Sequence, residues 1–130
     1  MAVPKIDFAV VCDDAFFSEE SKKLNIIGLY QKVIAGQVPA LHPKLTAVAA
    51  FEPIEKDQKF NLKARILKKG ETNAIVELAG DIQLRENNKF QAILSFSLIK
   101  FESYGEYYCE VFLDDKSMIK IPFEVANLKE

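Results

Sequence analysis

Histidine and cysteine, which often carry catalysis or bind metals, are scarce in this sequence. His42 is the only histidine, and Cys12 and Cys109 are the only cysteines. A catalytic nucleophile needs a base beside it, and a zinc site needs several Cys, His or carboxylate ligands. The sequence also contains no GxGxxG, GxxxxGK[ST] or GxSxG motif. We therefore predict a protein that is not an enzyme and that uses no cofactor.

Long apolar runs and an excess of one charge are missing too. No stretch approaches the ~20 apolar residues that a membrane helix requires. The first residues carry a short apolar run with Asp7 inside it and no small-residue cleavage pattern, so we predict no signal peptide. The 17 basic and 19 acidic residues give a net charge of −2, without the basic excess of a nucleic-acid-binding protein. We expect a cytoplasmic protein with no membrane or nucleic-acid partner.

The cysteines fit such a compartment. Both lie at apolar positions of strand-like segments, where a free thiol behaves as a small hydrophobic group. We predict that Cys12 and Cys109 are reduced and face inward, because a cytosolic protein is kept in reducing conditions. A disulfide or a reactive thiol is the alternative.

The sequence is rich in short segments of Val, Ile, Phe and Tyr separated by polar breaks. Such spacing is typical of an all-β protein with two packed sheets. We predict an antiparallel β-sandwich of about seven to nine strands, with at most one short helical turn at residues 13–21. The length suits one domain over residues 1–130.

Strand pairing can be predicted because facing residues of an antiparallel pair must agree on which side is apolar. Three consecutive pairings satisfy this condition. They place Ile66 opposite Val76, Leu84 opposite Phe90, and Val111 opposite Ile121. The first two predict a three-stranded meander, and the third predicts a hairpin with a loop at residues 115–117.

Three earlier strands are predicted from the same alternation. KLNIIGLYQKVI forms one strand that is mixed on both faces. PKIDFAVVCD and KLTAVAAFE each direct alternate side chains inward, namely Ile6, Phe8, Val10 and Cys12 in the first and Leu45, Ala47, Ala49 and Phe51 in the second. The segment GQVPALHP at residues 36–43 contains two prolines, which indicates an irregular crossover between sheets.

Five stretches resemble a known family: CDD at 12–14, KKLNIIGLY at 22–30, VPALHPKL at 38–45, GEYYCEVFLDD at 105–115 and IPFEV at 121–125. They resemble a family of short single-domain bacterial proteins of unknown function, over nearly the whole chain. The resemblance implies an Ig-like β-sandwich. The family has no established activity, so the resemblance implies no site residues. The turns at residues 69–70 and 115–116 depart from the family, which more often has Asp-Gly there.

The stretch GEYYCEVFLDD has apolar residues on both faces of a strand. Tyr107, Cys109, Val111 and Leu113 alternate with Glu106, Tyr108, Glu110 and Phe112, so two aromatic rings fall on the acidic face. Either each ring is covered by a charged neighbour or a loop, or the rings form a partner surface beside an exposed strand edge. Pro122 indicates such an edge, or a bulge, because proline cannot donate to a ladder.

We predict a non-catalytic protein-interaction module that binds a protein partner or a second copy of itself. The predicted partner-binding residues are Tyr108, Phe112, Met118 and Lys120. The alternative is a ligand-binding or calcium-binding sandwich similar to C2 domains, with metal ligands from the acidic loops. Its candidate ligands are Asp13, Asp14, Asp114 and Asp115, which also suit ordinary turn positions.

One basic stripe needs no nucleic acid to explain it. Lys59, Lys63, Arg65 and Lys69 lie on the outer side of the predicted middle hairpin. The predicted register places Glu77 opposite Arg65, so we expect this face to neutralise itself. Aromatic residues that would stack on bases do not interleave with these cations.

Overall fold

Nine β-strands occur in residues 3–127, the part of the chain that the computed structural model describes. Their bounds are β1 Ile6–Phe17, β2 Leu24–Leu29, β3 Lys32–Ala35, β4 Ala40–Phe51, β5 Gln58–Lys68, β6 Val76–Leu84, β7 Phe90–Phe101, β8 Gly105–Leu113 and β9 Lys116–Asn127. The predicted all-β Ig-like sandwich is confirmed. Within the described range, no helix is long and apolar enough to cross a membrane.

The strands form two sheets that face each other. The four-stranded sheet has the order β2-β1-β4-β7, and the five-stranded sheet has the order β3-β9-β8-β5-β6. Every pair of strands is antiparallel except β3 and β9, which run parallel from Lys32 beside Glu124 to Ala35 beside Asn127. The prediction of a purely antiparallel sandwich is therefore wrong at this one pair.

The core lies between the sheets and is rich in aromatic residues. Leu45 and Phe51 of β4 are fully buried there, as their alternation predicts. The Phe101 ring meets Tyr107 edge-on at 5.0 Å and Phe123 at 6.0 Å. Because Phe101 comes from one sheet and the other two rings from the opposite sheet, these contacts join the two layers.

Tyr107 adds a feature that is typical of Ig-like sandwiches. Its ring is buried near the start of β8, and its hydroxyl donates a hydrogen bond to the Ser103 carbonyl at 2.7 Å. A tyrosine that bonds back to the backbone a few residues upstream is the tyrosine corner of that architecture. The alternation of β8 predicts the buried ring, but the hydroxyl bond depends on the fold of the preceding loop.

The middle hairpin is predicted correctly, and the meander beyond it is wrong. β5 and β6 pair with Ile66 opposite Val76, as predicted. β6 and β7, however, lie in different sheets, and Ala92 of β7 pairs with Ala49 of β4. Two strands that face each other across a core have the same alternation as two paired strands, so the pattern alone cannot separate these arrangements.

Ile6 packs against the main core as predicted, but after the register shift between Ile6 and Phe8 the rest of β1 has the opposite orientation to the predicted one. Val11 lies in the main core, while Val10 and Cys12 face away from the five-stranded sheet. Cys12 is nevertheless fully buried, because it lies in a smaller cluster with Ala15 and Val48 on the outer side of the four-stranded sheet. Both faces of β1 are apolar, so the alternation does not fix its orientation.

The segment predicted as one strand at KLNIIGLYQKVI is divided between the sheets. β2 ends at Leu29 and belongs to the four-stranded sheet, and β3 begins at Lys32 and belongs to the five-stranded sheet. The predicted crossover is confirmed but shorter, because β4 already begins at Ala40. Residues 13–17 of the predicted helical turn continue β1, and a single hydrogen-bonded turn follows, in which the Lys22 N–H donates to the Ser18 carbonyl at 2.8 Å.

The last hairpin forms in a register that differs from the prediction by two residues. Val111 pairs with Ile119, and the turn consists of Asp114 and Asp115, whose φ angles are 47° and 66°. Positive φ at both central residues is the requirement of a type I′ hairpin turn. Met118 is the extra residue of a bulge, since Ser117 already pairs with Phe112. A shift of two residues keeps the side chains of residues 119–125 on their predicted faces.

Candidate functional site

Phe112 does not offer the exposed ring that the sequence suggests. It is only 9% exposed, because β5 lies beside β8 and places two cations over the ring. Lys63 Nζ and the Arg65 guanidinium carbon lie 4.8 Å and 5.0 Å from the ring centre. Phe112 is therefore covered by its own chain, and its assignment to the partner surface is not supported.

Met118 is also displaced from the predicted surface. As the extra residue of the bulge it is half-buried and packs against the main core. A side chain that contacts the core offers little apolar area to another molecule. The predicted group of four is thus reduced to Tyr108 and Lys120.

Tyr108 and Lys120 do lie together on the outer side of the five-stranded sheet. Lys120 Nζ is 5.0 Å from the centre of the Tyr108 ring. Tyr108 pairs with Pro122, not with Glu124 as predicted, so Lys120 is its diagonal neighbour. Diagonal residues of adjacent strands remain within reach of long side chains.

Glu110, predicted to face solvent, is buried in an ion pair. It is 5% exposed, accepts a hydrogen bond from Arg65 Nη2 at 3.1 Å, and accepts another from the Ser117 hydroxyl at 2.6 Å. The register does place Glu77 opposite Arg65, but Glu110 is the acid that Arg65 binds. Arg65 and Glu110 come together only because β5 pairs with β8, a strand that lies far from β5 in the sequence.

Tyr108 and Lys120 border a groove between the two sheets, which we call the β1–β9 groove. Its volume is about 960 Å³, and its walls are residues 9–11 of β1 and residues 120–124 of β9. Residues 29–31, which carry the chain from β2 to β3, line it as well. The walls combine apolar side chains such as Val11, Ile121 and Phe123 with the charged groups of Lys120 and Glu124.

Both walls of the groove are strand edges without a neighbouring strand. β2 pairs with β1 only from Cys12 onwards, and β3 pairs with β9 only from Glu124 onwards. Residues 6–11 of β1 and 116–123 of β9 therefore have a strand on one side only, within residues 3–127. Pro122 lies in the second stretch, which confirms its prediction as an edge residue.

Three of the four candidate calcium ligands are bound to different partners, and the fourth, Asp13, lines the smaller cavity described below. Asp14 pairs with Lys44 at 2.9 Å, Asp115 with Lys63 at 3.5 Å, and Asp114 accepts the Asn61 N–H at 2.8 Å. Residues 3–127 contain no group of three or more His, Cys, Asp or Glu side chains placed to hold a metal ion. The hydrogen bond and charge of Lys44, with the Ala15 N–H, lower the pKa of Asp14, which marks it as the acid of an ion pair.

A second, smaller cavity of about 280 Å³ is lined by residues of β1, β2, β3 and β4. Asp13, Tyr30 and His42 line it, and the Tyr30 hydroxyl and His42 Nε2 are buried without a hydrogen-bond partner in residues 3–127. Burial, with the nearby charges of Asp13 and Cys12, raises the pKa of Tyr30. His42 lies in β4 and not in a loop, with its ring 6.2 Å from that of Phe101.

Comparison with known proteins gives one match that decides the family. Residues 7–126 match the family described as "Family of unknown function (DUF6941)". The chain belongs to this family. The resemblance seen in the sequence is thereby confirmed, and no curated protein matches the chain.

The solved structure of another protein is similar to this chain. It is an immunoglobulin-like protein from Pseudomonas aeruginosa, with 14% sequence identity and a TM-score of 0.46. The likeness covers 96% of this chain and 98% of that one.

The two cysteines of this family member are free and buried. Cys109 faces the main core as predicted, whereas Cys12 lies in the outer cluster described above. Burial, with the adjacent Glu110 carboxylate, raises the pKa of Cys109 to about 12. Burial also raises the pKa of Cys12, and Asp13 and Asp14 add to the effect.

We expect both thiols to react slowly in the native protein. The thiolate is the reactive form, and a raised pKa together with burial leaves little of it accessible at neutral pH. Iodoacetamide should label Cys12 and Cys109 at least about tenfold more slowly in buffer than in denaturant. Mass spectrometry of quenched samples measures both rates. Rapid labelling of both cysteines in buffer would contradict their burial.

Proposed function

We propose that the chain is a non-catalytic protein-interaction module that binds another polypeptide through the β1–β9 groove. The observation that carries the proposal is the pair of unpaired strand edges that form the groove walls. An unpaired edge presents free N–H and C=O groups that favour pairing with another chain. The Leu29 side chain, which lines the groove and is 65% exposed, supplies apolar area that a partner can bury.

Tyr108 and Lys120 support the same location. They border the groove, and Tyr108 presents a partly exposed ring with a lysine beside it. Tyrosine is among the residues that most often dominate binding energy at protein interfaces, because it offers a large, rigid area and a polar hydroxyl. Phe112 does not contribute to this surface because two cations cover its ring, and Met118 is half-buried against the main core.

The proposal places this interaction in the cytoplasm, without a membrane or nucleic-acid partner. Two free, buried thiols are in keeping with a reducing compartment. A net charge of −2 gives no general attraction to nucleic acid.

A photo-cross-linking experiment in the producing cells tests the proposal. Benzoylphenylalanine replaces Tyr108 in one variant and Lys59, an exposed residue of β5 away from the groove, in the other. We expect a discrete cross-linked polypeptide at position 108 and none at position 59. The product at position 108 should disappear with an added Lys120→Glu and persist with an added Lys59→Glu. Equal cross-linking at both positions, or none at position 108, would contradict the proposal.

A further inference from the structure

The backbone of β9 presents hydrogen-bonding groups to the β1–β9 groove. The Glu124 N–H donates to the Gln31 carbonyl at 2.9 Å, so the backbone groups of Glu124 point away from β8. Successive strand residues direct these groups to opposite sides. The N–H and C=O of Lys120 therefore point into the groove, where β9 has no neighbouring strand. The backbone of Pro122 also faces the groove, so its missing N–H does not remove a hydrogen bond from the β8–β9 ladder.

The β1 wall has the same property. The Tyr30 N–H donates to the Val11 carbonyl at 3.3 Å, which fixes the direction of the Val11 backbone groups. By the same alternation, the N–H and C=O of Ala9 point into the groove. An apolar groove with free polar groups along both walls suits an occupant that brings its own regularly spaced backbone donors and acceptors.

We infer that the occupant is an extended segment of a partner protein, which adds as a further strand to residues 116–123 of β9. The segment carries apolar side chains toward the groove and an acidic side chain beside Lys120. This inference rests on the proposed function and names the kind of partner. Strand addition of this type combines main-chain hydrogen bonds for affinity with alternate side chains for specificity.

The apolar half of this pattern follows from the alternation of β9. Ile121 and Phe123 face the core side, and Val11 of β1 lies across the groove from them. These three side chains are almost fully buried already, so an added strand would bury apolar area mainly against the partly exposed Ala9 and the exposed Leu29, which also line the groove. Burial of this area would contribute to binding through the hydrophobic effect.

The acidic side chain of the partner segment is inferred from the charges around Lys120. Lys120 is exposed, and no carboxylate of residues 3–127 lies within ion-pair distance of it. Glu110, its cross-strand neighbour, is already bound to Arg65 and Ser117. An acidic residue beside Lys120 on the added strand would form an opposite-charge cross-strand pair, which stabilises a sheet.

A second copy of the chain fits this edge less well. Antiparallel pairing of two β9 strands about Lys120, near the middle of the free stretch, places two lysines opposite each other. Like charges directly opposite destabilise a pair of strands.

Amide hydrogen exchange of Lys120, measured by NMR, tests the inference directly. The probe is a synthetic peptide of about eight residues, the length of the free stretch, which alternates valine with threonine and has one central glutamate. A second peptide has lysine in place of the glutamate. Saturation with the acidic peptide should slow exchange of the Lys120 amide at least about tenfold. The Ile121 amide, which points toward β8, should be protected with or without peptide.

Two variants separate charge from backbone pairing. Lys120→Gln keeps the backbone N–H but removes the charge. It should lower the affinity for the acidic peptide about two- to fivefold, the range for one cross-strand charge pair, and leave the affinity for the lysine peptide unchanged. Lys59→Gln on β5 is the matched control and should leave both peptides unchanged.

Three outcomes would overturn the inference. The first is peptide binding without protection of the Lys120 amide, and the second is equal affinity for both peptides. The third is protection that increases with protein concentration alone, which would identify a second copy as the occupant. In each case, Lys120-dependent cross-linking at position 108 would leave the broader proposal of a protein-interaction module standing.

Discussion

Replacing Arg65 by methionine should lower the free energy of unfolding by about 3 kcal/mol, because it leaves the buried Glu110 carboxylate without its counter-charge. Glu110 is 5% exposed, and Arg65 is its only ion-pair partner in residues 3–127. The substitution also removes one of the two cations that cover Phe112. Urea unfolding followed by circular dichroism measures the change.

Lys63→Met is the matched control for this prediction. Lys63 also lies over Phe112, but its ion pairs are with exposed acids, Glu77 and Asp115. Exposed ion pairs contribute about 0–1 kcal/mol. The double variant Arg65→Met, Glu110→Leu should recover much of the lost stability, because a buried ion pair can be replaced by apolar residues at little cost. A loss for Arg65→Met no larger than that for Lys63→Met would mean that Glu110 is not buried in solution.

Replacing Phe101 by alanine should lower the free energy of unfolding by about 3–5 kcal/mol, the usual range for removing a buried phenylalanine ring. Phe101 is fully buried and contacts Tyr107 and Phe123 of the opposite sheet. The loss of stability has two parts: apolar area is no longer buried, and a cavity is left between the two sheets. The midpoint of urea unfolding should therefore fall while its denaturant slope stays nearly constant.

Leu98→Ala is the control for the second prediction. Leu98 lies three residues earlier in the same strand, β7, but it is 66% exposed. Exposed substitutions usually change stability by no more than about 0.5 kcal/mol. Equal losses for the two variants would show that Phe101 does not hold the sheets together.

The sequence predicts local pairings better than distant ones. The β5–β6 hairpin is correct because the chain turns directly from one strand to the next, and the apolar faces then allow one register. β6 and β7 are also consecutive, yet the Asp57 carboxylate holds the Glu86 N–H at 2.7 Å in the loop where the chain passes to the other sheet. Nothing in the strand pattern records that contact.

The same distinction applies to the candidate site. The alternation of β8 correctly places Tyr108 on the outer side, and Pro122 correctly indicates an unpaired edge. The cover over Phe112 comes from β5, more than forty residues away in the chain. The groove likewise requires β1 to approach β9, and the sequence contains no pairing of these strands to reveal it.

The parallel pairing of β3 with β9 determines when the groove can exist. During synthesis β3 emerges early, but its neighbour in the sheet is the last strand of the nine. Domains fold as units while the ribosome extends the chain from the N-terminus, and long-range pairs close late. Both the β9 wall and the segment at residues 29–31 that lines the groove depend on this closure. A partner that recognises the groove would therefore bind only chains that already contain β9, and copies truncated before β9 would escape it.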